Sequence, residues 1–168
     1  MRYFAFFALS AVAMLDASFA LVDARERTDD YICSIYFDSR NVDSECGPDG
    51  CIPELTRDGI VADWSRWSCT YELEDDTCEI CFCFPEPQDI VLVRFAMYKG
   101  DERVRKIEMS FVESDGATST VIFTSSGQSN WFESITVNAD ETHKLCMKPV
   151  DLDDDEWLDI VEIRFMVE

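Results

Sequence analysis

The chain has 168 residues, of which 35 are acidic and 14 are basic, so its formal net charge is −21. A surface of that sign repels phosphate backbones and anionic lipid headgroups, which argues against binding to nucleic acid or membranes. Apolar residues make up 47% of the chain and aromatic residues 12%, which is enough for a packed core and argues against disorder.

The first twenty residues have the pattern of a secretory signal peptide. Arg2 precedes an apolar run over residues 3–15, and the segment ends on small residues before position 20. The run is shorter than the roughly 18 residues that a membrane span needs, and no later segment approaches that length. We therefore predict a leader over residues 1–20 and a single secreted domain over residues 21–168. Removing the leader takes away one base and one acid, leaving 13 against 34, so the charge stays at −21.

Eight cysteines follow the leader, and an even set in an oxidising compartment predicts disulfides. They are Cys33, Cys46, Cys51, Cys69, Cys78, Cys81, Cys83 and Cys146. The spacing does not fix the pairing, but we expect at least one bond to tie Cys146 to the early segment. Zinc at the segment CEICFC is disfavoured because the only histidine, His143, is sixty residues away. A redox pair is disfavoured by acidic, strand-forming neighbours.

The chain divides into a cysteine-rich part, residues 21–88, and a β-patterned part, residues 89–168. In the second part apolar residues recur at every second position, as in half-buried strands. The predicted core faces are Val91, Val93, Phe95 and Met97; Ile107, Met109 and Phe111; Val121 and Phe123; Ile135 and Val137; Leu145 and Met147; and Val161, Ile163, Phe165 and Val167. Turn residues stand between them at 99–101, 114–116, 126–127 and 138–140. In the first part YICSIYF reads as a strand and ECGPDGC as a disulfide-closed loop. This pattern predicts an all-β, antiparallel β-sandwich stapled by disulfides.

Three motifs occur in a familiar order. Asp58-Gly59 is followed by Trp64 and Trp67, then by RKIEMSFVESDG and finally by DEWLDIVEIRFMV. This order resembles the galactose-binding-like superfamily, the jelly-roll sandwiches of discoidin and coagulation-factor C-type domains and of several carbohydrate-binding modules. The resemblance covers about residues 58–168. The segment CEICFCFPEP departs from the usual lead-in to the first core strand, and the arginines and histidines that often line a sugar site are not identifiable.

The resemblance implies a structural calcium ion. Many of these domains hold one through loop carbonyls, the Asp of the early loop and a Glu near the start of the last strand, which by position are Asp58 and Glu162. Calcium accepts six to eight oxygen ligands, so two carboxylates and backbone carbonyls suffice. The alternative is that Asp58 shapes a turn and Glu162 is a solvated strand residue. The acidic run at 151–162 also resembles an EF-hand loop, but Glu156 stands where that loop needs glycine.

These features favour a secreted, non-enzymatic binding module. With one histidine and neither a serine-nucleophile nor a phosphate-loop motif, the sequence does not indicate catalysis. We predict binding to an extracellular glycan or glycoprotein through Trp64, Trp67 or Trp131, with Asn130 fixing hydroxyls. For each tryptophan the alternative is a place in the core. A second hypothesis is an acidic, disulfide-rich toxin, effector or matrix protein that acts by protein contact or by binding calcium mineral. A third is a calcium-dependent polysaccharide hydrolase. The sequence leaves the oligomeric state open.

Overall fold

The computed structural model describes residues 25–27, 31–36, 51–70, 78–150 and 157–168. The predicted leader, Cys46 with most of its loop, and the acidic residues 151–156 lie outside the described residues. The described elements are β1 (Arg25–Arg27), β2 (Tyr31–Tyr36), a 3₁₀ helix (Pro53–Arg57), β3 (Trp67–Thr70), β4 (Glu79–Met97), β5 (Lys106–Glu113), β6 (Thr118–Thr124), β7 (Glu133–Val150) and β8 (Trp157–Val167). Because β8 is a strand, the exiting helix of an EF-hand does not form. Within the described ranges no helix is long and apolar enough to cross a bilayer.

The strands form one continuous antiparallel network in the order β1-β8-β4-β7-β5-β6, with β2 pairing to β4 and β3 pairing to β8. Two long strands, β4 and β7, belong to both layers. The first half of β4 pairs with β2 and with the second half of β7, which in turn pairs with β5. The second half of β4 pairs with β8 and with the first half of β7. The network therefore folds over itself, which confirms the predicted antiparallel β-sandwich.

Two prolines mark the bend in β4. Pro85 and Pro87 have no amide hydrogen, so neither can donate to a neighbouring strand. Pairing with β7 is interrupted between Cys83 and Gln88. The side-chain amide of Gln88 donates instead to the carbonyls of Glu86 and Pro87, at 2.7 and 2.8 Å. The strand therefore changes layer where its ladder of hydrogen bonds is missing.

Aromatic side chains from the two layers meet in the core. Phe82, in the first half of β4, contacts Phe165 of β8 edge to face, with 5.2 Å between ring centroids. Phe95, in the second half of β4, stacks on Phe123 of β6 at 4.8 Å. Most of the alternating positions predicted to point inward are buried: Val93, Phe95, Met97, Ile107, Met109, Phe111, Phe123, Val137, Leu145, Met147, Val161, Ile163, Phe165 and Val167. Val121 and Ile135 are partly buried and pack against the core. The prediction for Val91 is wrong, because pairing is irregular between Ile90 and Leu92 and Ile90 takes the buried place.

Two of the described disulfides lie within the cysteine-rich part, and one connects it to the β-patterned part. The described pairs are Cys33–Cys83, Cys69–Cys78 and Cys81–Cys146. Cys51 is also disulfide-bonded, and no described cysteine is free. The bond to Cys146 confirms that the late cysteine is tied to the early segment. The zinc and redox-thiol interpretations are wrong, because every cysteine of the C-x-x-C-x-C segment is already bonded to another cysteine.

The turn predicted at residues 138–140 is wrong, because these residues lie inside β7. The chain is distorted just beyond them. Glu141 has φ +46° and its N–H donates to the Asp89 carboxylate at 2.8 Å, while the Thr142 hydroxyl donates to the Ala139 carbonyl at 3.3 Å. The irregularity is absorbed within the strand in the manner of a bulge. The other three predicted turns lie between strands, as expected.

Candidate functional site

Four segments meet at one end of the sandwich, which we call the loop end. They are residues 53–66, the β4–β5 loop at 98–105, the β6–β7 loop at 125–132 and the start of β8. The Ser129 N–H donates to the Gly100 carbonyl at 3.3 Å, and the Tyr98 N–H donates to the Asp159 carbonyl at 3.3 Å. A Cβ added at Gly100 would lie 2.3 Å from the Ser129 carbonyl oxygen. Glycine is therefore required for the close approach of these two loops.

Three of the four predicted ligand-binding residues are exposed at the loop end. Trp64 is 51% exposed, Trp131 is 59% exposed and Asn130 is also exposed. Trp67, the first residue of β3, is 1% exposed and belongs to the core. The prediction for Trp67 is wrong, because a ring with no accessible face cannot stack on a sugar.

A groove of about 210 Å³ lies beside Trp131, and we call it the aromatic groove. Its lining consists of Val61, Ala62, Asp63, Asn130, Trp131 and Val161. The backbone N–H of Trp131 donates to the Ser129 hydroxyl at 3.1 Å. The Trp131 ring contacts the Phe132 ring edge to face, with 5.7 Å between the centroids. The guanidinium groups of Arg94 and Arg164 lie 4.7 and 4.6 Å from the Phe132 ring centroid. The structure thus brings Asn130 and Trp131 into one groove on a well-supported loop, whereas Trp64 adjoins Asp63 without lining it.

A second cavity, of about 270 Å³, lies at the same end, and we call it the basic pocket. It is lined by Arg66, Ser68, Tyr98, Lys99, Arg103, Trp157 and Asp159. Three cations lie within 6 Å of the Tyr98 ring centroid: the guanidinium carbon of Arg66 at 4.0 Å, Lys99 Nζ at 5.3 Å and the guanidinium carbon of Arg103 at 5.8 Å. Cation–π attraction of this kind stabilises positive groups beside the ring.

Asp159 is the one acid in the lining of the basic pocket. It accepts a hydrogen bond from the Ser68 hydroxyl at 2.5 Å and pairs with Arg103 at 3.2 Å and Arg66 at 3.6 Å. The Asp159 side chain is buried, and these partners offset the cost of burying a carboxylate. It therefore holds β3 and the β4–β5 loop against the start of β8.

Sequence reasoning missed the basic pocket, because its bases come from two segments that are far apart in the chain, Arg66 from one and Lys99 and Arg103 from the other. The available signal is local: four of the 14 basic residues fall within 99–106, in a chain where acids are far more common. That cluster indicates a locally positive loop, but the chain positions alone do not place Arg66 beside it.

The two predicted calcium ligands lie on neighbouring segments. Asp58 ends the 3₁₀ helix, and its carboxylate accepts the Ile60 N–H at 2.7 Å and the Ser65 hydroxyl. Glu162, in β8, accepts the Gly59 N–H at 3.2 Å. Gly59 has φ +78°, which residues with a side chain rarely adopt, so the Asp-Gly motif turns the loop onto β8. Glu162 is 2% exposed, so it is not a solvated strand residue.

Burial raises the pKa of Glu162 from 4.5 to about 6. The Gly59 N–H and the nearby Arg164 and Arg57 oppose this increase, while the negative charge of Asp58 adds to it. Arg164 Nε lies 3.4 Å from Glu162 Oε1. The carboxylate is therefore costly to ionise in this environment, even with two arginines nearby.

The donor set at Asp58 and Glu162 fits a calcium ion. The two carboxylates and the Ser65 hydroxyl are all oxygen donors, which calcium prefers. Ser65 was not identified from the sequence. It is buried, and its N–H donates to the Ala62 carbonyl at 2.9 Å, a turn that brings its side chain to Asp58. A cation there would join the early loop to the last strand.

Solved structures share this fold. The chain superimposes on the CBM32 domain of AlyQ in complex with 4,5-unsaturated mannuronic acid with a TM-score of 0.61 and 21% identity, covering 84% of this chain and 96% of that chain. It also matches truncated AlyQ with CBM32 and alginate lyase domains, with a TM-score of 0.63 and 21% identity. That match covers 85% of this chain but only 33% of the AlyQ chain. The family 32 module of C. perfringens NanJ in complex with galactose matches with a TM-score of 0.54 and 9% identity, covering 82% of this chain and 91% of the NanJ module.

These likenesses establish the fold. The chain has the β-sandwich fold of these carbohydrate-binding modules, which is the fold that the motif order predicted. No protein-family model and no curated protein matches the chain by sequence.

Proposed function

We propose that this chain is a secreted, non-enzymatic carbohydrate-binding module that binds glycans at the aromatic groove. The observation that carries the proposal is Trp131, a large apolar ring that is 59% exposed on a loop fixed by Ser129 and Phe132. Sugar rings present apolar faces that stack on such a ring, and neighbouring polar groups fix their hydroxyls. The adjacent Asn130 amide and Asp63 carboxylate supply those polar groups. Trp64, exposed next to Asp63, is a second ring on which a sugar could stack.

Binding without catalysis agrees with where the perturbed carboxyl lies. Glu162, whose pKa is raised, is buried beneath the Asp58 loop and lines neither the aromatic groove nor the basic pocket. A general acid has to reach the bond that it protonates. Glu162 therefore suits a structural role better than a catalytic one.

The proposed structural role is to hold calcium together with Asp58 and Ser65. The ion would compensate the buried charge of Glu162 and fix the loop that carries Trp64. Export through the predicted leader is supported by the disulfides, since thiols pair stably outside the cytosol.

A glycan array, followed by calorimetric titration of the best ligand, tests the proposal. We expect Trp131→Ala to weaken binding about tenfold, because it removes the stacking surface. Trp64→Ala should have a smaller effect in the same direction. Ile122→Ala is the matched control, since Ile122 is a similarly exposed apolar residue, on β6. Absence of binding to every glycan, with and without calcium, would instead favour an acidic protein that acts by protein contact or by binding mineral.

A further inference from the structure

Among the described residues that line the basic pocket, bases outnumber acids, in contrast to the whole chain. Three of its seven lining side chains are basic and one is acidic, whereas the whole chain has 14 bases and 35 acids. Arg103 is paired with Asp159. Lys99 Nζ lies beside the Tyr98 ring and forms no ion pair with any residue in the described part of the chain. The lysine therefore offers a positive charge to whatever enters the pocket.

The backbone conformation at position 99 does not explain why the residue there is a lysine. Its φ is +50°, in the left-handed region that glycine and asparagine tolerate best. The turn itself is held by the Lys99 carbonyl, which accepts the N–H groups of Glu102 at 2.9 Å and Arg103 at 3.0 Å. Any residue supplies that carbonyl, so the turn does not require a lysine side chain. Its charge is the property that distinguishes it from a residue better suited to this conformation.

The pocket has the dimensions and walls for one sugar ring. Its volume is about 270 Å³, at the small end for ligand sites, and Tyr98 and Trp157 provide aromatic walls. It adjoins the aromatic groove, because an Arg66 guanidinium nitrogen donates to the carbonyl of Asp63, which lines that groove. A glycan with one ring on Trp131 can therefore place a neighbouring ring near the basic pocket.

We propose that the basic pocket binds the carboxylate of a hexuronic acid residue within the glycan that occupies the aromatic groove. Lys99 supplies a charge that no acid in the described part of the chain pairs with, and Arg103 adds a planar guanidinium whose N–H groups match a carboxylate better than a hydroxyl. The strongly acidic remainder of the surface disfavours polymers charged at every ring. The recognised unit is therefore a single acidic residue or a short oligomer. This assignment rests on the proposed glycan binding at the loop end and specifies its substrate class.

Calorimetric titration of matched sugars tests the assignment. The ligands are disaccharides that end in glucuronic, galacturonic, mannuronic or guluronic acid, each compared with its carboxamide, which keeps the shape and removes the charge. We expect at least one acid to bind about tenfold more tightly than its amide, as a charge-assisted hydrogen bond implies. The corresponding 6-sulfated neutral sugars show whether the carboxylate or any anion is selected.

Three variants locate the effect. Lys99→Asn should reduce the preference for acid over amide to near one without lowering the melting temperature, because asparagine tolerates the backbone angle. Lys99→Arg should retain the preference. Lys144→Asn is the charge-matched control, since Lys144 pairs with Cys83 and Val112 away from the loop end, and it should leave every affinity unchanged.

The results separate this inference from the proposed function. Equal binding of acids and amides, with Trp131 still required, would overturn the pocket assignment and leave glycan binding intact. A preference for acids that survives Lys99→Asn would also overturn it, as would tighter binding of the sulfated sugars. Failure of every sugar to bind would overturn both.

Discussion

Glu162→Gln isolates the cost of burying a carboxylate under the Asp58 loop. The side chain is 2% exposed and its pKa is raised from 4.5 to about 6, chiefly by burial. The folded protein therefore holds this proton more tightly than the unfolded chain does. Glutamine keeps the shape and an acceptor oxygen for the Gly59 N–H, and it carries no charge to desolvate.

The sign and size of the effect follow from linkage. Between pH 4.5 and 6 the folded state binds the proton and the unfolded state has released it, so stability falls as pH rises through this window and stays lower above it. The folded and unfolded pKa values of Glu162 differ by about 1.5, which corresponds to about 2 kcal/mol of free energy of unfolding. In calcium-free buffer at pH 7 we expect Glu162→Gln to be more stable than the wild type by up to ~2 kcal/mol, which raises the melting temperature by about 4–8 °C. The variant should also lose the decline between pH 4.5 and 6.

If the proposed calcium site is correct, adding calcium should make the wild type more stable than Glu162→Gln. A cation that binds only the folded state stabilises it by an amount that grows with the logarithm of the calcium concentration above the Kd, so the melting temperature of the wild type should rise on adding calcium and that of Glu162→Gln should not. The assay is thermal unfolding from pH 4 to 7.5, with chelator and with calcium. Glu108→Gln is the matched control, because Glu108 pairs with Lys148 near the surface and its loss should change stability by less than ~1 kcal/mol. A Glu162→Gln variant that is less stable than wild type in chelator at pH 7 would refute the reasoning.

Three further substitutions test the scaffold. Trp67→Ala should cost about 3–5 kcal/mol in urea unfolding, because it empties a fully buried site, and glycan affinity of the folded protein should hold if Trp67 is core. Replacing Cys81 and Cys146 together by Ala opens a loop of 65 residues and should cost about 2–4 kcal/mol; an unchanged urea midpoint would contradict this. Gly100→Ala should cost about 1–3 kcal/mol and weaken glycan binding, because the new methyl group forces the β6–β7 loop away; binding equal to wild type would show that the two loops are not coupled.

The strands were predictable because their period is a direct consequence of a half-buried sheet. Alternation at Ile107, Met109 and Phe111 identified a core face that the structure confirms. The error at residues 138–140 has a physical reason. Asparagine and aspartate favour turns, yet the segment pairs on both sides of a bulge, and tertiary pairing overrides local preference.

The site was predictable only in part, because chain position carries little information about exposure. Trp64 and Trp67 are three residues apart and were equivalent in the sequence, yet one is exposed and the other begins a core strand. Asp58 and Glu162 were found through a family resemblance rather than through spacing. Ser65 was missed because a turn at Ala62, which the sequence does not mark, brings its hydroxyl back to Asp58. Lys99 was missed because the basic pocket brings its loop beside Arg66, which is distant in the sequence.

Basic side chains at the loop end lie against aromatic rings near the two cavities. Arg94 and Arg164 lie over Phe132, which supports Trp131, while Arg66, Lys99 and Arg103 lie near Tyr98. In a chain with 35 acids, exposed bases would ordinarily be neutralised by surface pairs that contribute little to stability. Here Arg66 and Arg103 pair with the buried Asp159, and Arg164 pairs with the buried Glu162. Contact with aromatic rings additionally holds these cations beside the two cavities. The same rings that build the candidate sugar surface therefore also fix the charges that can select among sugars.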